Sequence, residues 1–73
     1  MTAQERDFLA FAASVLGVDA SRLTLETAYE ALPEFDSVAH LRLVLEVEAR
    51  YGVSIPLERI ASLLTLRDFF ALT

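Results

Sequence analysis

The apolar positions of this chain fall into helical spacings, interrupted by one long stretch without a period. Phe8, Leu9, Ala12, Val15 and Leu16 recur every three or four residues, as on the buried face of an amphipathic helix. Ahead of them Thr2 and Glu5 stand at T-x-x-E spacing, where each side chain satisfies an orphan amide of the first turn. Gly17 follows the last periodic residue, and glycine tolerates the left-handed conformation that ends helices. The pattern predicts a first helix over Ala3–Leu16.

Residues 18–36 show no sustained period, yet they carry Val18, Leu23, Leu25, Tyr29, Leu32 and Phe35. That is too apolar for a free linker. It reads as a loop pinned onto the core, with one helical turn around Leu25–Ala31, and a connection this long in a small domain is often functional. A second helix runs from Ser37 to Tyr51 and stops at Gly52. Ser54 and Pro56 then open a short third helix, with Pro56 in the first turn, where its missing donor costs little. Leu57 and Ile60 are its expected buried residues. Thr65 and Asp68 repeat the capping spacing before a last helix through Leu72, with Leu66, Phe69, Phe70 and Leu72 turned inward. The expectation is an all-α fold: one domain over residues 1–73, a small four-helix bundle with a long loop between helices one and two.

The second helix carries more apolar surface than one stripe needs. Leu43, Val44, Val47 and Tyr51 form one face. Val38, Leu41 and Leu45 form another, displaced around the axis. Arg42, Glu46 and Arg50 lie on a third line at i, i+4 spacing and read as a solvated ladder of weak ion pairs. Helices one and four could bury both apolar faces. The sharper expectation leaves one of them open to a partner, because exposed apolar patches mark interaction sites.

Composition narrows the classes of function. With 73 residues and no cysteine, the fold rests on packing alone, and disulfides, thiolate metal sites and a cysteine nucleophile are excluded. The net charge is −5 and all six basic residues are arginines, which disfavours nucleic acid and anionic membranes as partners. Residues 1–37 hold seven acids against two arginines, while residues 38–73 balance four against four. The longest uncharged apolar run, FLAFAASVLGV, is too short to span a bilayer, which takes about 20 residues. No basic region of a signal peptide precedes it. A soluble, cytoplasmic location is the default expectation.

The candidate chemistry gathers where the long loop meets the second helix, at FDSVAHL. Ser37 can be read as an N-cap, although the residue three further on is His40 rather than the Glu or Gln of a capping box. A nucleophilic active site needs a base oriented by a third group; the chain has one histidine, and no G-x-S-x-G elbow surrounds the serine. His40 reads as a solvent- or partner-facing side chain. Glu46 and Glu48 diverge on a helix, so they form no paired acid/base site, and no metal-ligand spacing is present. Neither catalytic nor metal residues are expected. An attached anionic group would need a reachable hydroxyl at a helix N-terminus, a neighbouring carboxylate and an apolar surface alongside. Ser37, Asp36 and the Val38–Leu41–Leu45 face meet these demands.

At this point the sequence resembles an acyl carrier protein of the phosphopantetheine-attachment family. The likeness spans essentially the whole chain: helix one, the acidic loop, DSV opening helix two, YGVSIP closing it and TLRDFF in the last helix. The resemblance implies that Ser37 receives 4′-phosphopantetheine from coenzyme A through a separate transferase, and that Asp36 assists. It also implies that Val38, Leu41 and Leu45 meet partners, with Glu48 at an acidic recognition position. The implied protein is not an enzyme. It is a monomer that holds an acyl group as a thioester on the arm. Its partners would be a phosphopantetheinyl transferase, an acyl-loading ligase and acyl-processing or acyl-transfer enzymes. The chain departs from the family pattern at Val38, where leucine is usual, at PEF before Asp36, and along a helix two that is neutral rather than acidic. These departures point to a specialised, stand-alone carrier for a modified-lipid or secondary-metabolite acyl group. An aminoacyl or peptidyl carrier is the alternative, and an unmodified helical interaction module is the reading of another class.

Overall fold

Local capping decides where the long helices begin and end. The computed structural model describes all residues Met1–Thr73. The first helix, α1, spans Ala3–Leu16, with the Thr2 amide donating to Glu5 Oε1 at 2.6 Å and the Glu5 amide to Thr2 Oγ1 at 3.1 Å. Gly17 ends it at φ 72°, and the second long helix, α2 (Ser37–Tyr51), ends on Gly52 at φ 66°. Both glycines occupy the left-handed region that disfavours a Cβ. A short α3 (Leu57–Ile60) and α4 (Leu66–Phe70) complete the bundle. No helix is long and apolar enough to cross a membrane.

The connection between α1 and α2 differs from expectation. No helical turn forms around Leu25–Ala31; a 3-10 turn lies earlier, over Ala20–Arg22. The later part of the loop pairs instead with the approach to α4. Ala28 and Thr65 make an isolated antiparallel bridge, Tyr29 N donates to Leu64 O at 2.7 Å, and Arg67 N donates to Leu25 O, also at 2.7 Å. Arg67 Nε reaches Glu26 at 2.6 Å beside this pairing. The backbone groups of an aperiodic segment must find partners somewhere, and here they find them in a segment remote in sequence. Arg22 and Glu34 add a two-pronged ion pair across the loop at 2.9 and 3.2 Å.

Phe8, Phe35, Phe69, Leu43, Leu63, Leu66 and Val47 are fully buried. The core is therefore shared by α1, the inner face of α2, the end of the long loop and α4. Rings also gather where α1 meets α4 and the end of α2: Phe8 stands edge-on to Phe70 at 5.4 Å, and Phe11 edge-on to Tyr51 at 5.8 Å.

Four further expectations change. Leu57, expected inside, is exposed, and Ile60 is only half-buried. A four-residue helix defines no reliable face, and Ile55 just before it supplies the buried anchor. Pro56 caps α3 from outside rather than standing in its first turn. The Arg42–Glu46–Arg50 line is exposed, but none of its members is ion-paired. Arg50 instead lies over the Phe11 ring at 5.0 Å, a contact that also covers apolar surface. Toward the C-terminus, α4 stops at Phe70, and Leu72 packs half-buried just past its end.

Candidate functional site

The loop and α2 meet at Asp36, which is the N-cap. Its Oδ1 accepts from Ala39 N at 2.9 Å, and its backbone carbonyl accepts from His40 N at 2.8 Å. Ser37 is the first residue inside the helix, so its hydroxyl is not committed to capping. It is exposed, and its Oγ lies 2.8 Å from the Tyr29 hydroxyl, a hydrogen bond in which either group can donate. Asp36 is exposed too, and its Oδ2 makes no hydrogen bond within the chain.

The two apolar faces of α2 separate cleanly. Leu43, Val44 and Val47 are buried, with Tyr51 half-buried at the helix end. Val38, Leu41 and Leu45 keep 73%, 52% and 65% of their surface exposed. This open face begins beside Ser37 and follows the helix for two turns. Leu57 and Leu64 are also exposed.

His40 corrects an expectation. It is buried, not solvent- or partner-facing. Its Nε2 lies 2.9 Å from Leu63 O; a carbonyl can only accept, so Nε2 carries the proton and donates. Its ring lies against Tyr29 at 4.4 Å and meets Phe69 edge-on at 5.4 Å. The spacing holds the signal: His40 precedes Leu43, Val44 and Val47 at i, i+3, i+4 and i+7 on the buried face. The polarity of imidazole masks that placement, and one hydrogen bond compensates its burial. Tyr29 is legible in the sequence only as an apolar loop residue; its contact with Ser37 depends on the fold.

Glu48 is half-buried, and its carboxylate accepts from Ile55 N at 2.7 Å. It thereby fastens the segment after Gly52 to the last turns of α2. No acid falls between Ser37 and Leu45, and Arg42 is the charged residue of that span. The acids near the helix start lie in the loop, at Glu30, Glu34 and Asp36. The Arg22 guanidinium hydrogen-bonded to Glu34 holds that carboxyl below the usual glutamate range.

The helical bundle thus offers an exposed hydroxyl at a helix start, beside an open apolar face. A family model described as a phosphopantetheine attachment site matches residues 6–72. The chain therefore belongs to the phosphopantetheine-attachment family of acyl carrier proteins, which are carriers rather than enzymes and whose prosthetic group is covalent phosphopantetheine. It is 29% identical over 75 residues to the meromycolate extension acyl carrier protein of Mycolicibacterium aurum, an alignment covering 97% of this chain and 77% of that protein. No solved structure matches the chain significantly.

Proposed function

We propose that Ser37 Oγ is the attachment point, and that the chain carries an acyl group for a specialised lipid or secondary-metabolite pathway. The observation that carries this reading is the division of labour at the α2 start: Asp36 caps the helix, and the exposed Ser37 hydroxyl stands beside the open apolar face. The residues present suit the group. A phosphodiester on Oγ would sit at the positive end of the α2 dipole, and its arm would leave along exposed surface.

In the loading step Ser37 Oγ forms a bond to the β-phosphorus of coenzyme A. The pyrophosphate P–O bond breaks, adenosine 3′,5′-bisphosphate leaves, and the serine proton passes to a base on the transferase. Asp36 Oδ2 is the oxygen available to a magnesium ion brought by that enzyme. The bound arm supplies a thiol that holds the cargo as a thioester. The chain's own surface then does the presenting, since tethering raises the cargo's effective concentration at a docked partner.

Two observations favour a specialised cargo. The relative from Mycolicibacterium aurum bears a name tied to meromycolate extension, which supports an acyl group over an aminoacyl one. Beside the open face of α2 stands the exposed Arg42, where a basic partner would want acid, so charge complementarity favours partners of a different kind. Glu48 has one foot in the fold and offers such a partner only part of its carboxylate.

Intact mass spectrometry tests the attachment. Incubation with coenzyme A, magnesium and a promiscuous phosphopantetheinyl transferase should add one phosphopantetheine mass to the wild type and nothing to Ser37→Ala. A wild type that gains no mass, or a gain that survives the substitution, contradicts the reading. The thioester mass on protein from its own host should be neither an ordinary fatty acyl group nor an aminoacyl group; either would remove the specialised acyl part of the proposal.

A further inference from the structure

The Tyr29 hydroxyl has a place in this site that packing alone does not require. Three contacts hold the residue, one on its backbone and two on its ring. The Tyr29 amide donates to Leu64 O at 2.7 Å, Phe35 meets the ring edge-on at 5.8 Å, and His40 lies against it at 4.4 Å. His40 is itself tied to Leu63 O. The phenol therefore sits on a platform fixed to the segment before α4, and from there it reaches Ser37 Oγ at 2.8 Å. A phenylalanine would keep the ring contacts. Only the hydroxyl adds the bond to Ser37.

We propose that Tyr29 is a positioning residue for the Ser37 hydroxyl, a role that rests on the attachment reading above. A serine hydroxyl on an exposed helix start can turn among three staggered rotamers. The hydrogen bond to Tyr29 selects the one in which Oγ points toward the loop, so the nucleophile meets the transferase in one orientation. Tyr29 is not the base in this scheme: the serine proton goes to the transferase, while the phenol holds the oxygen. Once Oγ is esterified it has no proton left, so the contact survives only with the phenol donating, to Oγ or to a phosphate oxygen beside it. The same residue thus orients the acceptor before loading and restrains the base of the arm afterwards.

The test is Tyr29→Phe, compared with wild type as the variable carrier in transferase kinetics. The expected result is a kcat about threefold to tenfold lower, the worth of one neutral hydrogen bond, with KM for the carrier within about twofold. The ³¹P resonance of the loaded variant should also shift relative to the loaded wild type. Circular dichroism should show a folded variant. Equal kcat values with superimposable ³¹P spectra overturn the proposal, leaving Tyr29 a packing residue and the attachment reading intact. A raised KM at unchanged kcat also overturns it, because the phenol would then serve docking. So does an unfolded variant, which would make the hydroxyl structural. If the wild type itself accepts no phosphopantetheine, the attachment reading fails and this role fails with it.

Discussion

Leu41 and Leu43 stand two residues apart on α2 with the same side chain, and they live in different solvents. Leu43 is fully buried in one core with Phe8, Phe35 and Phe69, whereas Leu41 keeps 52% of its surface exposed. The burial contrast repeats along the helix, with Val44 and Val47 buried and Val38 and Leu45 exposed. Hydrophobicity alone therefore does not assign a duty on this helix; angle around the axis does. The inner face lies where α1, Phe35 and α4 close over it. The outer face has no element left to cover it, because the chain has only two long helices. A fold this small cannot enclose both sides of a 15-residue helix, and the uncovered side is the face proposed above to meet partners.

The contrast can be broken most forcefully by truncating one leucine on each face. Leu43→Ala should cost about 2–5 kcal/mol, the usual range for a core leucine. A chain of this size has only about 4–10 kcal/mol in total, so urea denaturation should show a large loss of midpoint. Leu41→Ala should stay within about 0.5 kcal/mol, as for a surface change. Equal losses at the two positions would mean that both faces are core.

A charge sharpens the distinction in the other direction. Leu41→Glu should leave the fold standing by circular dichroism and by melting temperature. It should slow acyl transfer to partner enzymes by about tenfold, because a carboxylate is desolvated at each docking. Undiminished partner rates with a stable fold would show that the outer face is not where partners dock.

The smallest effect lies away from α2, at the exposed Arg22–Glu34 pair. Glu34 is held below its usual value chiefly by the hydrogen bond from Arg22. A carboxyl with a lowered folded value stabilises above its unfolded value, and that contribution is lost as pH falls through the folded one. The melting temperature of wild type should therefore exceed that of Glu34→Gln slightly at neutral pH, and the gap should close under acid. A gap independent of pH would assign the difference to packing. Exposed pairs are worth little, and this one should move stability far less than Leu43.

Much of this arrangement is legible in the residues themselves. The bounds of α1 and α2 follow from a capping box, two glycine stops and helical spacing, all of them local signals. The two faces of α2 are readable as a surplus, and the Val38–Leu41–Leu45 face beside Ser37 as the open one. What stays hidden depends on contacts distant in sequence. The pairing of residues 25–29 with 64–67 leaves no period, so the loop's backbone partners cannot be inferred from the loop. His40 escapes recognition because its identity argues against its spacing. The bond between Tyr29 and Ser37 depends on that same hidden pairing, since Leu64 O holds the tyrosine backbone in place. Leu57 shows the limit from the other side: four residues of helix give periodicity too little to work with.

The cap at Asp36 has one further consequence. Had Ser37 closed the helix with its own hydroxyl, every loading would have taken a hydrogen bond from α2 and every unloading would have returned it. Stability would then have risen and fallen with cargo state. With Asp36 holding Ala39 N, the oxygen proposed to carry the arm is not one that the helix relies on. Empty and laden forms can present partners with one and the same α2, and recognition of the carrier is kept separate from the state of its freight.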